Sequence, residues 1–195
     1  MVIVKTTSIS LLERLQSSPR DSDWNRLQEI YLPLIRKWLG RVPGLGEDAG
    51  DLSQEVLIVV IREIPHFERQ REGSFRAWLR VVTVNRLRSH RKQKLRRPSV
   101  GFDPTDTFID QLADPNGDLA REWDREHDRH VFQQLLTIVR PDFGTSTWLI
   151  FQQFALDGLP AAKVAENFGV TENAVIQAKA RILKRLRQEA GAFLD

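Results

Sequence analysis

Apolar residues along this chain recur at spacings of three and four, and strand-type alternation is nearly absent, so the pattern predicts helices throughout and an all-α protein. The first clear stripe is Leu27, Ile30, Tyr31, Leu34 and Trp38. Ser22 or Asp23 is available to cap it, and Pro33 is placed to kink it or split it in two. Pro43, Gly44 and Gly46 end it. Asp51, with Gln54 three residues on, reads as an aspartate version of the capping box and opens a helix that Pro65 stops. Val56, Leu57, Ile58, Val59, Val60 and Ile61 are consecutive in that helix. Such a run predicts a central position in a bundle, with Asp51, Glu55 and Arg62 as one polar strip. A further helix starts at Ser74 and carries Phe75, Trp78, Leu79, Val82 and Leu87 as its stripe.

From Pro98 to Asp118 the periodicity gives way to prolines, glycines and five aspartates with no Lys or Arg, which reads as a linker. Its acidity keeps it solvated and extended on one reading; on another it imitates a nucleic-acid strand within a basic channel, or folds back on the protein's own basic helix. Helices resume from about Leu119 to Val139 and from Ser146 to Leu156. A short helix from Ala161 to Phe168, a turn at Gly169, Val170 and Thr171, and a longer helix from Glu172 to Gln188 then follow helix-turn-helix grammar. Val175, Ala178, Ile182 and Leu186 form the buried stripe of the last helix. Glu172, Asn173, Gln177, Lys179, Arg181, Lys184 and Arg185 stay free, and Thr171 is placed to cap. The pattern thus predicts two small helical domains, residues 1–97 and 119–195, joined by an acidic linker, residues 98–118.

Charge sharpens this picture. Between Ser74 and Val100 there is no acidic residue, and Arg76, Arg80, Arg86, Arg88, Arg91, Lys92, Lys94, Arg96 and Arg97 stand among Phe75, Trp78 and Asn85. The whole chain has a net charge of only +3, so the rest of it is acidic and the positive charge is local. Cations attract phosphates, flat side chains offer surfaces for unstacked bases, and an amide can bond a base edge; a merely solvated helix needs only the cations. Trp78 lies in the helix stripe and is read as core before it is read as a stacking surface. The second cluster, Lys179, Arg181, Lys184, Arg185 and Arg187, follows polar Asn173 and Gln177. Residues at the start of a recognition helix reach base edges, and later cations suit phosphates.

Other chemistry is sparse. The absence of cysteine excludes disulfides and thiolate chemistry and agrees with a reducing cytoplasm. The first ten residues lack the pattern of a secretory signal, and no run approaches the ~20 apolar residues of a membrane span, so the expected location is cytoplasmic with no membrane partner. His127 and His130 fall three apart, but without a third ligand at useful spacing they read as surface residues. No catalytic residue, metal or cofactor is expected.

In order, Asp51-Leu-Ser-Gln-Glu-Val56, Phe75-Arg-Ala-Trp-Leu79 with Asn85-Arg86, and the helix-turn-helix ending Ile182-Leu-Lys-Arg-Leu-Arg187 resemble the bacterial sigma factors of the extracytoplasmic-function (ECF) group. Leu136–Phe143 followed by Thr147-Trp148, and the Thr171–Val175 turn, resemble a planctomycete-like subgroup. The resemblance implies a sigma region 2 and a sigma region 4 that bind core RNA polymerase and direct it to promoter DNA, with no catalysis of their own. It implies that Asp51, Gln54 and Glu55 meet the polymerase, and that Arg80, Asn85, Arg86, Arg88 and Arg91 open and read the -10 element. Thr171, Glu172, Asn173, Gln177, Lys179, Arg181, Lys184 and Arg185 would then read the -35 element. Many such relatives are held by an anti-sigma factor or another regulator. Asn173-Ala174-Val175 and Ser89 depart from the commoner family residues, so the promoter sequence does not transfer. The competing reading is a helix-turn-helix regulator that binds duplex DNA without polymerase.

Overall fold

The computed structural model describes residues 11–68, 74–94 and 103–190, and among them there are nine α-helices and no strand. The expected N-terminal patch, Arg96, Arg97, Pro98 and Gly101 lie outside the described residues. The described chain falls into two compact units, residues 11–132 and 133–190, divided inside one helix.

The first unit holds α1 (Leu11–Ser17), α2 (Asp21–Leu39), α3 (Asp48–Glu63), α4 (Ser74–Lys94), α5 (Pro104–Ala113) and the start of α6 (Asp118–Val139). The stripe expected for α2 is its buried face: Leu27, Ile30, Tyr31, Leu34 and Trp38 are all enclosed. Tyr31 meets Phe75 of α4 at 5.3 Å and Trp38 meets Trp123 of α6 at 5.1 Å between ring centroids. The indole N–H of Trp123 donates to the Arg76 carbonyl at 3.1 Å, so α6 is pinned to α4 by its one polar atom as well as by its apolar body.

Several local expectations are corrected. Helix α2 runs unbroken through Pro33, and its cap is Arg20; Asp23 acts from inside the first turn, accepting from the Arg20 backbone N–H at 3.1 Å and from Arg14 at 2.8 Å. Helix α3 begins at Asp48, three residues before the expected capping box, so Asp51 lies within the helix and caps nothing. Nor is α3 apolar on every side: Ile58 is 61% exposed. His127 is buried and His130 half-buried. The Nε2–H of His130 donates to the Ile30 carbonyl at 2.6 Å, and the His127 ring packs on Tyr31 at 5.8 Å between centroids, so both fasten α6 to α2 rather than decorate the surface.

The stretch expected to be an extended linker contains a helix. Asp103 caps α5 by accepting the Thr105 N–H at 2.8 Å, Pro104 occupies the first helical position, and Ile109 and Leu112 are buried. Helix α5 lies against α4.

The second unit comprises the end of α6, α7 (Thr145–Phe151) extended by a π-helical turn to Leu156, α8 (Ala161–Phe168) and α9 (Glu172–Ala190). Ile150, Val164, Ala165, Val175 and Ala178 form its core, with Phe154, Ala161 and Phe168 packed on it. Gly169 ends α8 at φ 63°, a left-handed geometry that a side chain would strain, and Thr171 Oγ1 accepts the Ala174 N–H at 3.2 Å to start α9. Helix α8, the turn and α9 therefore form where the turn residues place them.

Candidate nucleic-acid interface

Two surfaces carry the candidate chemistry, one in each unit. In the first, α3 and α4 pack together and present neighbouring strips. Asp51, Gln54 and Glu55 are exposed on α3, and Ile58 continues their strip by one turn. The hydrophobic run hid Ile58 from sequence reasoning; its spacing of three from Glu55 was the available signal.

On α4, Asn85, Arg88, Lys92 and Lys94 are exposed and Arg86 and Arg91 half-buried. Trp78 is half-buried between Phe67 and Phe75, at 5.1 and 5.4 Å, which agrees with a core role. Arg80 is different from its expected place: it is 6% exposed, and its Nη1 has no partner among the described residues. An arginine three positions from the apolar Ala77 and four from Val84 sits on the covered side of the helix, whatever its charge.

Acidic residues occupy most of the remaining cations. Arg86 pairs with Glu55 of α3, and Lys94 pairs with Asp48. Helix α5 brings Asp110 to Arg88 at 3.2 Å, Asp106 to Arg91 at 3.0 Å, and Asp103 into a further pair with Arg91. These contacts perturb protonation. The Asp103 carboxyl is held below its ordinary range by the Thr105 N–H, with Arg91 adding to the effect against a desolvation penalty. The Lys94 bond does the same for Asp48. The Arg91 guanidinium is held more firmly charged by Asp106 and Asp103. A cavity of about 110 Å³ remains between α4 and α5, with Arg80, Asn85 and Arg88 as its polar lining. Asn85 thus faces outward, but beside a helix that already occupies the basic flank.

In the second unit, Thr171, Glu172, Asn173, Gln177, Arg181 and Lys184 are exposed on one side of α9, as its stripe requires. Two of the expected contacts are already engaged. Lys179 lies over the Phe154 ring at 5.0 Å, and Arg185 binds Asp142 at 2.7 Å and Glu189 at 2.9 Å. Burial opposes the charge of Arg185, and the two carboxylates outweigh it and hold the guanidinium more firmly protonated. Ile176, 50% exposed beside Gln177, is an apolar member of this face that the buried stripe does not claim. The face combines amides, one apolar side chain and later cations, which suits an intact groove.

Among the described residues no group of three or more His, Cys, Asp or Glu could hold a metal ion, and no helix is long and apolar enough to cross a membrane. No curated protein matches the chain. Residues 27–97, which contain α3, α4 and both strips just described, match the family of sigma-70 region 2. That match, to 71 of the 195 residues, supports a sigma factor of the sigma-70 family.

Proposed function

We propose that the protein is a cytoplasmic sigma factor of the ECF group, of the planctomycete-like subgroup, with residues 1–97 serving as region 2 and residues 119–195 as region 4. The carrying observation is the adjacency of two different strips on α3 and α4: exposed Asp51, Gln54, Glu55 and Ile58 on one, exposed Asn85 with half-buried Arg86 on the other. A carboxylate strip flanked by an exposed aliphatic side chain suits a basic protein partner with an apolar rim, the chemistry of docking on core polymerase. An exposed amide among cations suits a splayed strand of the -10 element, where each stacked base contributes about 1 to 3 kcal/mol. Helix α9 reads the -35 element as duplex, with Asn173 and Gln177 toward base edges and Arg181 and Lys184 toward phosphates. Lys179 and Arg185 join only by leaving Phe154, Asp142 and Glu189.

Helix α5 gives the free protein a shielded form. Its aspartates take the places that strand phosphates would take on Arg88 and Arg91, so the strand and α5 compete for one flank of α4. Assembly with polymerase and DNA supplies the contacts that displace it, and a protein regulator could hold it in place.

Reconstituted transcription tests the reading. The chain should co-purify with core polymerase and support initiation at a promoter of its own genome, while binding free duplex weakly. Tight binding to a palindromic duplex without polymerase would instead establish the helix-turn-helix regulator.

A further inference from the structure

We propose that the cavity between α4 and α5 is an oxyanion site that takes a phosphate group. The argument begins with Arg80. Its side chain is enclosed, Nη1 has no hydrogen-bond partner, and no ion pair reaches the residue among the described residues. A guanidinium cannot shed its proton to relieve burial, so a buried and unpaired arginine is among the most costly arrangements a small domain can hold. The other cations of α4 solve the same problem with carboxylates: Arg76 has Asp128, Arg86 has Glu55, and Arg91 has Asp103 and Asp106.

What Arg80 has instead is space. The cavity it lines, about 110 Å³, is several times the room one water needs. Its other polar walls are Asn85, whose amide can donate, and Arg88, a second guanidinium. Val81, Val84, Leu112 and Ala113 complete the lining, and these apolar walls strengthen charge pairing on the Arg80 side of a pocket that is open to solvent. Asp110 bonds Arg88 at 3.2 Å and is the opposing charge. Two guanidiniums against one carboxylate leave the site positive. Water could satisfy the free N–H but not the charge. A tetrahedral oxyanion can satisfy both, because it has several acceptors for the N–H donors that Arg80, Arg88 and Asn85 bring to the pocket lining.

A phosphate group could come from inorganic phosphate or a phosphomonoester entering with α5 in place, or from the backbone of a DNA strand reaching Arg80 once α5 moves aside. The site itself does not depend on the sigma-factor reading, since an uncompensated buried guanidinium calls for an anion in any protein.

Isothermal titration of the full chain with inorganic phosphate, at an ionic strength held constant with chloride, tests the proposal. The wild type should bind, and Arg80→Met should weaken affinity at least about tenfold, the scale of losing a charge-assisted bond to an oxyanion. Ala113→Leu, which fills the cavity and leaves Arg80 untouched, should weaken it similarly, and Arg80→Lys should retain part of it. Competition by a single-stranded oligonucleotide that is itself weakened by Arg80→Met assigns the site to strand phosphate; binding indifferent to the oligonucleotide assigns it to a free anion. No binding by the wild type, or wild-type affinity retained by both Arg80→Met and Ala113→Leu, overturns the proposal.

Discussion

Leu112→Ala is the most direct way to loosen the shield over α4. Two kinds of contact hold α5 down, and their magnitudes differ. The Arg88–Asp110 pair is exposed, and a pair of that kind is worth at most about 1 kcal/mol. Leu112 is fully enclosed against α4, and truncating a buried leucine costs about 2 to 5 kcal/mol. The low end applies here because the side chain already borders a cavity that can collapse. A change of about 2 kcal/mol moves the docked–undocked equilibrium of α5 roughly 30-fold. If the undocked form is the one that captures a strand, apparent affinity for a single-stranded oligonucleotide should rise by up to that factor, read as fluorescence anisotropy on the full chain. Hydrogen exchange of the α5 amides provides the independent check that the helix has come away. Faster exchange in α5 with unchanged or weaker oligonucleotide binding would refute the competition, because the flank would then be open and unused.

Other outcomes follow from the same geometry. Asn85→Ala combined with Arg86→Ala should impair promoter opening far more than polymerase binding, measured by permanganate footprinting and co-purification; equal losses would make the pair structural. Lys184→Ala should lower the salt slope of duplex binding by about 0.9, one phosphate contact, whereas Arg185→Ala should mainly lower the unfolding temperature through loss of Asp142 and the buried Glu189 carboxylate. Thr171→Ala should destabilise the helix-turn-helix by about 1 kcal/mol in chemical denaturation. His130 is kept neutral by burial, with His127 and Lys37 acting in the same direction and the Ile30 carbonyl opposing them, so its folded pKa lies below the usual 6.5. The unfolded chain then binds more protons just below pH 6.5, so stability is complete above that pH and declines as acid is added. In urea titrations between pH 5 and 7, His130→Asn should flatten that decline.

How far the fold could be read in advance depended on which force shaped each element. The stripe of α2 and the turn at Gly169 and Thr171 are set by local periodicity and backbone geometry, and both stand as expected. Helix α5 was obscured because five aspartates and flanking prolines suggest solvation, yet Asp103-Pro104 is also a helix start and Ile109 and Leu112 a short apolar stripe. What selects the helix is its partner: the acid-free α4 turns three of those aspartates, Asp103, Asp106 and Asp110, from solvating groups into ion-pair acceptors. The same limit governs Arg80. A residue-type rule places arginine at the surface, but its position on the α4 helix, under α5, places it inside. At the α9 face, Ile176 escaped notice because periodicity identifies the buried side and leaves apolar residues on the other side unassigned.

The bond between Glu55 and Arg86 ties the strip on α3 to the strip on α4. On the function proposed above, a polymerase surface that claims the carboxylate would free the guanidinium for a strand; until then Arg86 is occupied by Glu55. Recruitment would in this way arm melting, and a wandering sigma subunit would be discouraged from gripping exposed single strands elsewhere in the chromosome. A double-mutant cycle between Glu55→Gln and Arg86→Lys, scored for oligonucleotide capture with and without polymerase, reads that bond as a coupling that vanishes once the holoenzyme has formed.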